Sequence, residues 1–413
     1  MRTRGTDLLY IFLIIVLLAV IAGVAWLTWQ YIVPLGGDQV YAPLWEAARY
    51  VSAELGGQSY SPDAVARARI LLGDADYPPR FVYPYYSLLL IEPFARISPY
   101  SLSRAVWMAF CLVCYTGLVF VAMMLTRWRP GIWGGLAFAL FAFGRPDVHR
   151  ALFVGNPALV VGLLMGIGLL MVVREQYGLA GVFFGLTVLK PNLSVLLLVF
   201  VFLWAISHRR MGMVLSLLVV SLGLIGGSVV LFPQWPLLYY QELLAFYPER
   251  FPSSPAAVVW TWMPNLGPRV MLVVAVALML VLLVSWWQAL GKGPRWFLWT
   301  AALTITVTLL VGLPVSPSDH VVLLVPFTLA FSTWAQRWRG AGTQLAIVMM
   351  ALTAGASWLV FWLTLDLDLN APASDANLFV MPLTAAVLLY WARYWALHSI
   401  RLKTSHLDAL RRL

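Results

Sequence analysis

The chain has 413 residues, of which 62% are hydrophobic and only 11% charged, and its mean hydropathy is +0.85. A soluble domain carries charge on about a quarter of its residues. A soluble globular protein is therefore excluded, and an all-α polytopic membrane protein is expected, one integral-membrane domain over residues 1–413.

The formal charge of +10 falls mainly in short clusters between apolar runs, a topology signal rather than a nucleic-acid surface, so nucleic acid is not an expected partner. Arg2 and Arg4 precede the first apolar run, at about residues 8–30, which is long enough to cross the hydrocarbon layer. It is too long for a signal peptide and lacks a small-x-small cleavage pattern, so it is expected to stay attached as an anchor. The longest polar interval follows, a first extracytoplasmic loop over residues 30–100 that opens on Gly36-Gly37-Asp38. Asp38 lies a few residues beyond the anchor, at the membrane–water boundary. It is either a solvated or capping acid or a group presented to a ligand, since the glycines let backbone approach closely and a helix starting near Tyr41 would set its N-terminus beside the carboxylate. Residues 45–55, with Glu46, and 61–72 read as short amphipathic segments lying on the bilayer surface. The aromatic and proline residues of 77–86 bring the chain back to the interface, and Glu92 near the next crossing reads as structural.

Apolar runs then recur at about 101–126, 131–144, 155–173, 178–190, 192–207, 211–232, 269–290, 296–312, 321–334, 343–364 and 377–397, which with the anchor makes about twelve crossings. Several are short, notably 131–144 and the pair meeting at Lys190-Pro191, and such broken segments are tolerated at depth only where they line a protein cavity. If every run crosses, Arg127, Arg129, Arg174, Arg209, Arg210, Lys292, Arg295, Arg337, Arg339 and the basic tail at 398–413 share one side, the cytoplasmic one, with both termini. The other face then holds the Asp38 loop, residues 145–150, the Lys190 break, a second large loop at 232–268, and the intervals 314–320 and 366–375. Nearly every unusual polar residue is thus expected outside the cell. Cys111 and Cys114, three apart in an apolar run without basic neighbours, read as core residues.

Lys190 closes an apolar run at the Pro191 break. Its ammonium either snorkels to the headgroups or faces a polar cavity as a ligand-binding cation, most naturally for phosphate. His320 stands at a helix start beside Asp319, which either fixes its tautomer or caps the helix. Arg145, Asp147, His149 and Arg150 form a mixed cluster, internal ion pair or site, while Asp366, Asp368 and Asp375 read as a solvated loop. There is no zinc-ligand spacing, Walker loop, nucleophile elbow or dinucleotide fingerprint. Charge at helix midpoints, which an ion-coupled transporter needs, is scarce.

Taken in order, Asp38 with Tyr41, Phe81-Val82-Tyr83-Pro84, Glu92-Pro93, Gly155-Asn156, Ala180-Gly181 with Lys190-Pro191, and Ser316-Pro317-x-x-His320 resemble the polyprenol-phosphate-mannose-dependent mannosyltransferases, multispanning enzymes of the GT-C fold in glycosyltransferase family 87. The likeness runs from about residue 30 to 335. It implies a lipid-phosphate sugar donor entering from the membrane, a glycolipid or lipid-linked glycan acceptor and membrane lipids as surroundings; no cofactor is expected, and no metal is demanded, since fixed cations can do the same electrostatic work. Asp38 would be the general base of an inverting transfer, with Lys190, His320 and Arg145 on the donor phosphate. Tyr41, Glu46, Tyr83, Asp147, His149, Asn156, Asn192 and Asp319 are the further candidates for substrate contact. The expected function is therefore a membrane hexosyltransferase, with mannose first. A pentosyl- or aminosugar transferase of the same fold and a lipid-linked sugar flippase are the alternatives.

Overall fold

The computed structural model describes residues 40–52, 59–71, 81–250, 254–365 and 376–398, with Gly23, Trp26 and Gln30 before them. Asp38, most of the anchor run, the 366–375 interval and the basic tail beyond residue 398 lie outside the described residues. All regular structure among the described residues is helical. The outer-loop region supplies α1 (Tyr41–Ser52), α2 (Pro62–Leu71) and α3 (Leu88–Ala95). Then come α4 (Tyr100–Leu125), α5 (Ile132–Gly144), α6 (Pro146–Phe153), α7 (Ala158–Val173), α8 (Tyr177–Leu186), α9 (Pro191–Ser207) and α10 (Met211–Leu231). The last third holds α11 (Trp235–Arg250), α12 (Pro255–Trp262), α13 (Gly267–Ala289), α14 (Pro294–Thr308), α15 (Leu324–Arg337), α16 (Arg339–Leu365) and α17 (Asn377–Leu397). Proline stands in the first turn of α6, α9, α12, α13 and α14, where its missing N–H costs no helical bond and its fixed φ is already right.

Five of these helices, α4, α10, α13, α16 and α17, are long and apolar enough to cross a membrane. A sixth span results if α6 and α7, bent by 117°, count as one. Helices α5, α8 and α9 are apolar but shorter, and at 1.5 Å rise per residue they fall short of the ~30 Å layer.

Apolarity does not set burial: the apolar α4 is 56% buried over its spanning window. The most apolar windows of α10 and α13 are only 17% and 22% buried, and side chains such as Val230 and Trp287 stand out from the protein, as a lipid-facing surface requires. The less apolar α14 is the enclosed one, with every residue from Phe297 to Thr308 buried. Three of its four threonine hydroxyls donate within the helix: Thr304, Thr306 and Thr308 each reach the carbonyl four residues back, at 2.7–2.9 Å, while the Thr300 hydroxyl is buried without a partner. Helix α15 packs beside it and is nearly as closed.

Three expectations change. The segment expected on the bilayer surface at 45–55 begins at Tyr41 and is buried on almost every side, because small alanines and aromatic rings, interspersed around the helix, let α1 pack against α2 and α3. The interval 232–268 contains α11 and α12 rather than an open loop. The run expected from 321 opens with a 3₁₀ turn, Pro317–Leu323, before α15.

The basic connectors meet at one end of the bundle. His208 Nε2 donates to the Lys292 carbonyl at 3.0 Å, Gln336 Nε2 to the Thr126 carbonyl at 3.1 Å, and Arg174 approaches the Met124 sulfur. Helix direction then places Asn156, Lys190 and the 314–320 turn at the opposite end, since each begins or closes a helix whose other end carries a basic connector.

Candidate functional site

Three chain breaks converge to build the site. Between α6 and α7 the chain turns at Gly155, whose φ of +68° favours glycine. A Cβ there would come within 2.8 Å of Tyr41 and 3.2 Å of the Trp107 ring, and Trp107 Nε1 donates to the Gly155 carbonyl at 2.9 Å. Asn156 follows at once. Lys190 is held extended between the 3₁₀ turn Thr187–Leu189 and α9, because Pro191 prevents α8 from continuing. The Pro317–Leu323 turn closes the site. It packs on α6, α7 and α17, and its first carboxylate, Asp319, accepts the Ser316 N–H at 2.9 Å.

Lys190 Nζ lies 2.5 Å from Asp319 Oδ1 and 2.7 Å from Asn156 Oδ1, with the Tyr83 ring centroid 5.8 Å away. Asn156 Nδ2 donates to Asp319 Oδ1 at 2.9 Å and to Ser318 Oγ at 2.7 Å, while its Oδ1 also accepts the Ala158 N–H at 2.9 Å. The amide thus uses both donors and both lone pairs. Burial raises the Asp319 carboxyl, but the Lys190 ammonium and the hydrogen bonds from Ser316 and Asn156 more than offset it and hold the group below the usual carboxylate range. Burial likewise lowers Lys190, and Asp319 reverses that. The pair is therefore ionised. Lys190 does not snorkel: only 4% of it is exposed.

On the other side of the turn the bonding is incomplete. Arg145 is fully buried between Phe141 and Phe327, and its Nη2 stands 3.3 Å from both Asp147 Oδ2 and the Tyr115 hydroxyl. Its Nε and Nη1, both Asp147 oxygens and His320 Nε2 are buried without a hydrogen-bond partner. A group left in that state costs about 1–3 kcal/mol, more when charged. Burial, reinforced by Arg145 and Arg150, drives His320 down from 6.5 to about 3 despite Asp319 beside it, so the imidazole is neutral. Any part of His320 in a phosphate contact is one hydrogen bond, not a charge. A recess opens here, walled by Asp147, Arg150, His320, Ser357, Phe361 and Asn377 among others, with about 10 Å³ free at its core.

The other candidates scatter. Tyr41 is wholly buried, its hydroxyl 2.7 Å from Ser103 Oγ and its ring stacked on Trp107. Glu46 is buried in α1, 3.8 Å from Arg49, and its carboxyl is raised by burial against the opposing pull of Arg49 and Arg67. Tyr83 borders the Lys190 cluster, and Asn192 donates to the Pro314 carbonyl at 2.6 Å, tying α9 to the turn. His149 is exposed, 6.1 Å from the Trp358 ring. Sequence reasoning missed Ser357, Asn377 and Tyr115. It also missed Arg104, buried in α4 with Nη2 3.3 Å from the Phe153 carbonyl, although it is the single charged residue of that helix and so carried a signal.

Residues 81–317, more than half of the chain, match glycosyltransferase family 87. No curated protein and no solved structure matches. The matched stretch opens at Phe81, two residues before Tyr83, contains Asn156 and Lys190, and ends at Pro317 where the closing turn begins. With its apolar spanning helices, the chain belongs to glycosyltransferase family 87 and is a membrane glycosyltransferase.

Proposed function

We propose that the enzyme transfers a hexose, mannose first, from a polyprenyl-phosphate sugar to a hydroxyl of a lipid-linked or cell-envelope acceptor. Transfer takes place at the outer face of the plasma membrane, with inversion. Asp38 takes the acceptor proton, and Lys190 supplies the positive charge that meets the leaving phosphate. In this reading the chain crosses about twelve times, the shorter helices passing within the protein, and both termini are cytoplasmic. The observation that carries the reading is the protonated Lys190, buried at the end of the bundle away from the basic connectors, in a member of a glycosyltransferase family. An ammonium there costs several kcal/mol to desolvate, and an anionic substrate group arriving from the membrane is a reason to keep it.

The test is radiolabelled transfer from polyprenyl-phosphate mannose by the purified protein in membranes. Asp38→Asn keeps the shape and removes the basicity, so transfer should fall by ~10²–10⁴-fold with donor binding intact. Near-normal transfer by Asp38→Asn, together with loss in Glu46→Gln or Asp147→Asn, would move the base to the other acid.

A further inference from the structure

The recess beside the closing turn differs in chemistry from the Lys190 cluster. Its buried polar atoms are the two oxygens of Asp147, whose side chain is 3% exposed, and Nε2 of His320, which is 1% exposed, and none of these atoms has a hydrogen-bond partner. Around them stand a hydroxyl, Ser357, an amide, Asn377, an aromatic ring, Phe361, and the Arg150 guanidinium. An anion entering here would be repelled by the Asp147 carboxylate, which is ion-paired with Arg145 at 3.3 Å but makes no hydrogen bond. The free core of about 10 Å³ admits one water-sized group, such as a single hydroxyl. A group that both donates to a carboxylate and accepts from an arginine or amide is a hydroxyl, and acceptors beside an aromatic surface suit a neutral polyol.

The walls come from two parts of the chain. Pro146, Asp147, Arg150 and Pro317 lie within the stretch matched to the family, whereas His320, Ser357, Phe361 and Asn377 lie beyond it. Helices α16 and α17 thus complete a pocket that the matched stretch only begins.

We propose that this recess is a hydroxyl-binding subsite for the saccharide of a substrate, with Asp147 accepting the hydrogen bond of a ring hydroxyl, His320 beside it, and α16 and α17 setting which sugar fits. The proposal rests on the transferase reading above, and the hydroxyls belong to either the donor's hexose or the acceptor's glycan.

The experiment uses the full-length protein in detergent and has two readouts. The first is saturation-transfer NMR with methyl α-mannoside, methyl α-glucoside and their 2-deoxy forms, which needs no lipid donor. The second is steady-state transfer, varying donor and acceptor separately. Asp147→Asn should weaken the saccharide signal and raise one KM by about tenfold, with kcat changed far less, because a site built to bind a hydroxyl loses uniform binding when its acceptor goes. A raised acceptor KM assigns the subsite to the acceptor, and a raised donor KM to the donor hexose. Since Asp147→Asn also leaves Arg145 without its anion, Ser357→Leu, which fills the recess without touching a charge, serves as the second variant and should have the same effect. NMR contacts without any transfer by the wild type would sink the polyprenyl-phosphate reading and leave the subsite standing. Unchanged KM values and no saccharide contact in folded Ser357→Leu and wild type alike would mean an ordered water only, and the proposal would be wrong.

Discussion

Lys190, Asp319 and Asn156 spend almost all of their hydrogen-bonding capacity on one another and on backbone, whereas Arg145, Asp147 and His320, around the same turn, keep buried donors and acceptors unmet. Both regions are equally withdrawn from solvent, so burial alone does not distinguish them. The difference lies in satisfaction. A closed network holds three chain breaks in one place, since it joins the starts of α7 and α9 to the 316–320 segment. An open one stores a cost that a ligand can relieve. Of the two, the first fixes geometry and holds the Lys190 charge in place, and the second keeps hydrogen-bonding atoms for a ligand.

The sharpest way to break this comparison is at Asp319. Asp319→Ala leaves a buried ammonium without its anion, and removing one partner of such a pair costs about 3–5 kcal/mol. The variant should unfold markedly earlier on heating in detergent. The double variant Lys190→Leu/Asp319→Leu removes both charges and should recover most of the stability, since apolar replacements of a buried pair are often neutral. If Lys190 also meets the donor phosphate, transfer in this stable double variant stays lost, by on the order of tenfold or more. Full activity would reduce the pair to a strut.

A smaller effect is expected at Asn156. Asn156→Leu is close in volume but strips one acceptor from Lys190 and two donors from the turn, for a loss of ~1–3 kcal/mol in thermal stability. Asp147→Asn, by contrast, has no hydrogen bond to lose and costs stability only through the Arg145 guanidinium it leaves without its anion. Arg145→Leu/Asp147→Leu, which removes both charges, should recover most of that loss, and no recovery would mean that the pair does more than balance charge. The placement of both regions away from the basic connectors is checked by single cysteines at Ser207 and Gln234 in a chain lacking Cys111 and Cys114. An impermeant thiol reagent should label them from opposite sides of the membrane, because α10 runs from one position to the other.

Much of the fold was legible in sequence. Hydropathy gave the class and most helix positions, since backbone in lipid must be satisfied within helices, and Pro191 and Gly155 marked two of the three breaks that form the site. It could not rank burial. Apolar α10 and α13 face outward, apolar α4 is half enclosed and threonine-bearing α14 lies inside, an order that hydropathy cannot see when lipid and protein interior are equally apolar. Lys190, Asn156 and Asp319 were each candidates from sequence. Their mutual bonding was not legible, because Asn156 and Ser318 lie 162 positions apart. Ser357 and Asn377 gave no signal at all, one a small polar residue within an apolar helix and the other at the edge of an interval expected to be solvated.

The last and smallest effect concerns pH. In the unfolded chain His320 takes up a proton near its ordinary value of 6.5, whereas in the folded protein burial and the arginines keep it neutral down to about 3. Between these values the unfolded state binds more protons, so this residue's contribution to stability rises with pH: it is complete above about 6.5 and is lost as pH falls toward 3, with a slope of at most ~1.4 kcal/mol per unit. Asp319, held below the usual carboxylate range, loses its contribution only in stronger acid, so a window from about pH 4 to 7 separates the two. Thermal unfolding of the wild type in detergent should therefore shift downward across that window, while His320→Gln, which keeps a hydrogen-bonding side chain but cannot titrate, should show a shallower decline. The transfer rate should show no inflection near 6.5 that His320→Gln removes, because the imidazole has no proton to lose there. Parallel curves for the two proteins would mean that His320 titrates at its ordinary value in the folded state, and the neutral imidazole assigned to the recess would then be a cation below about 6.5.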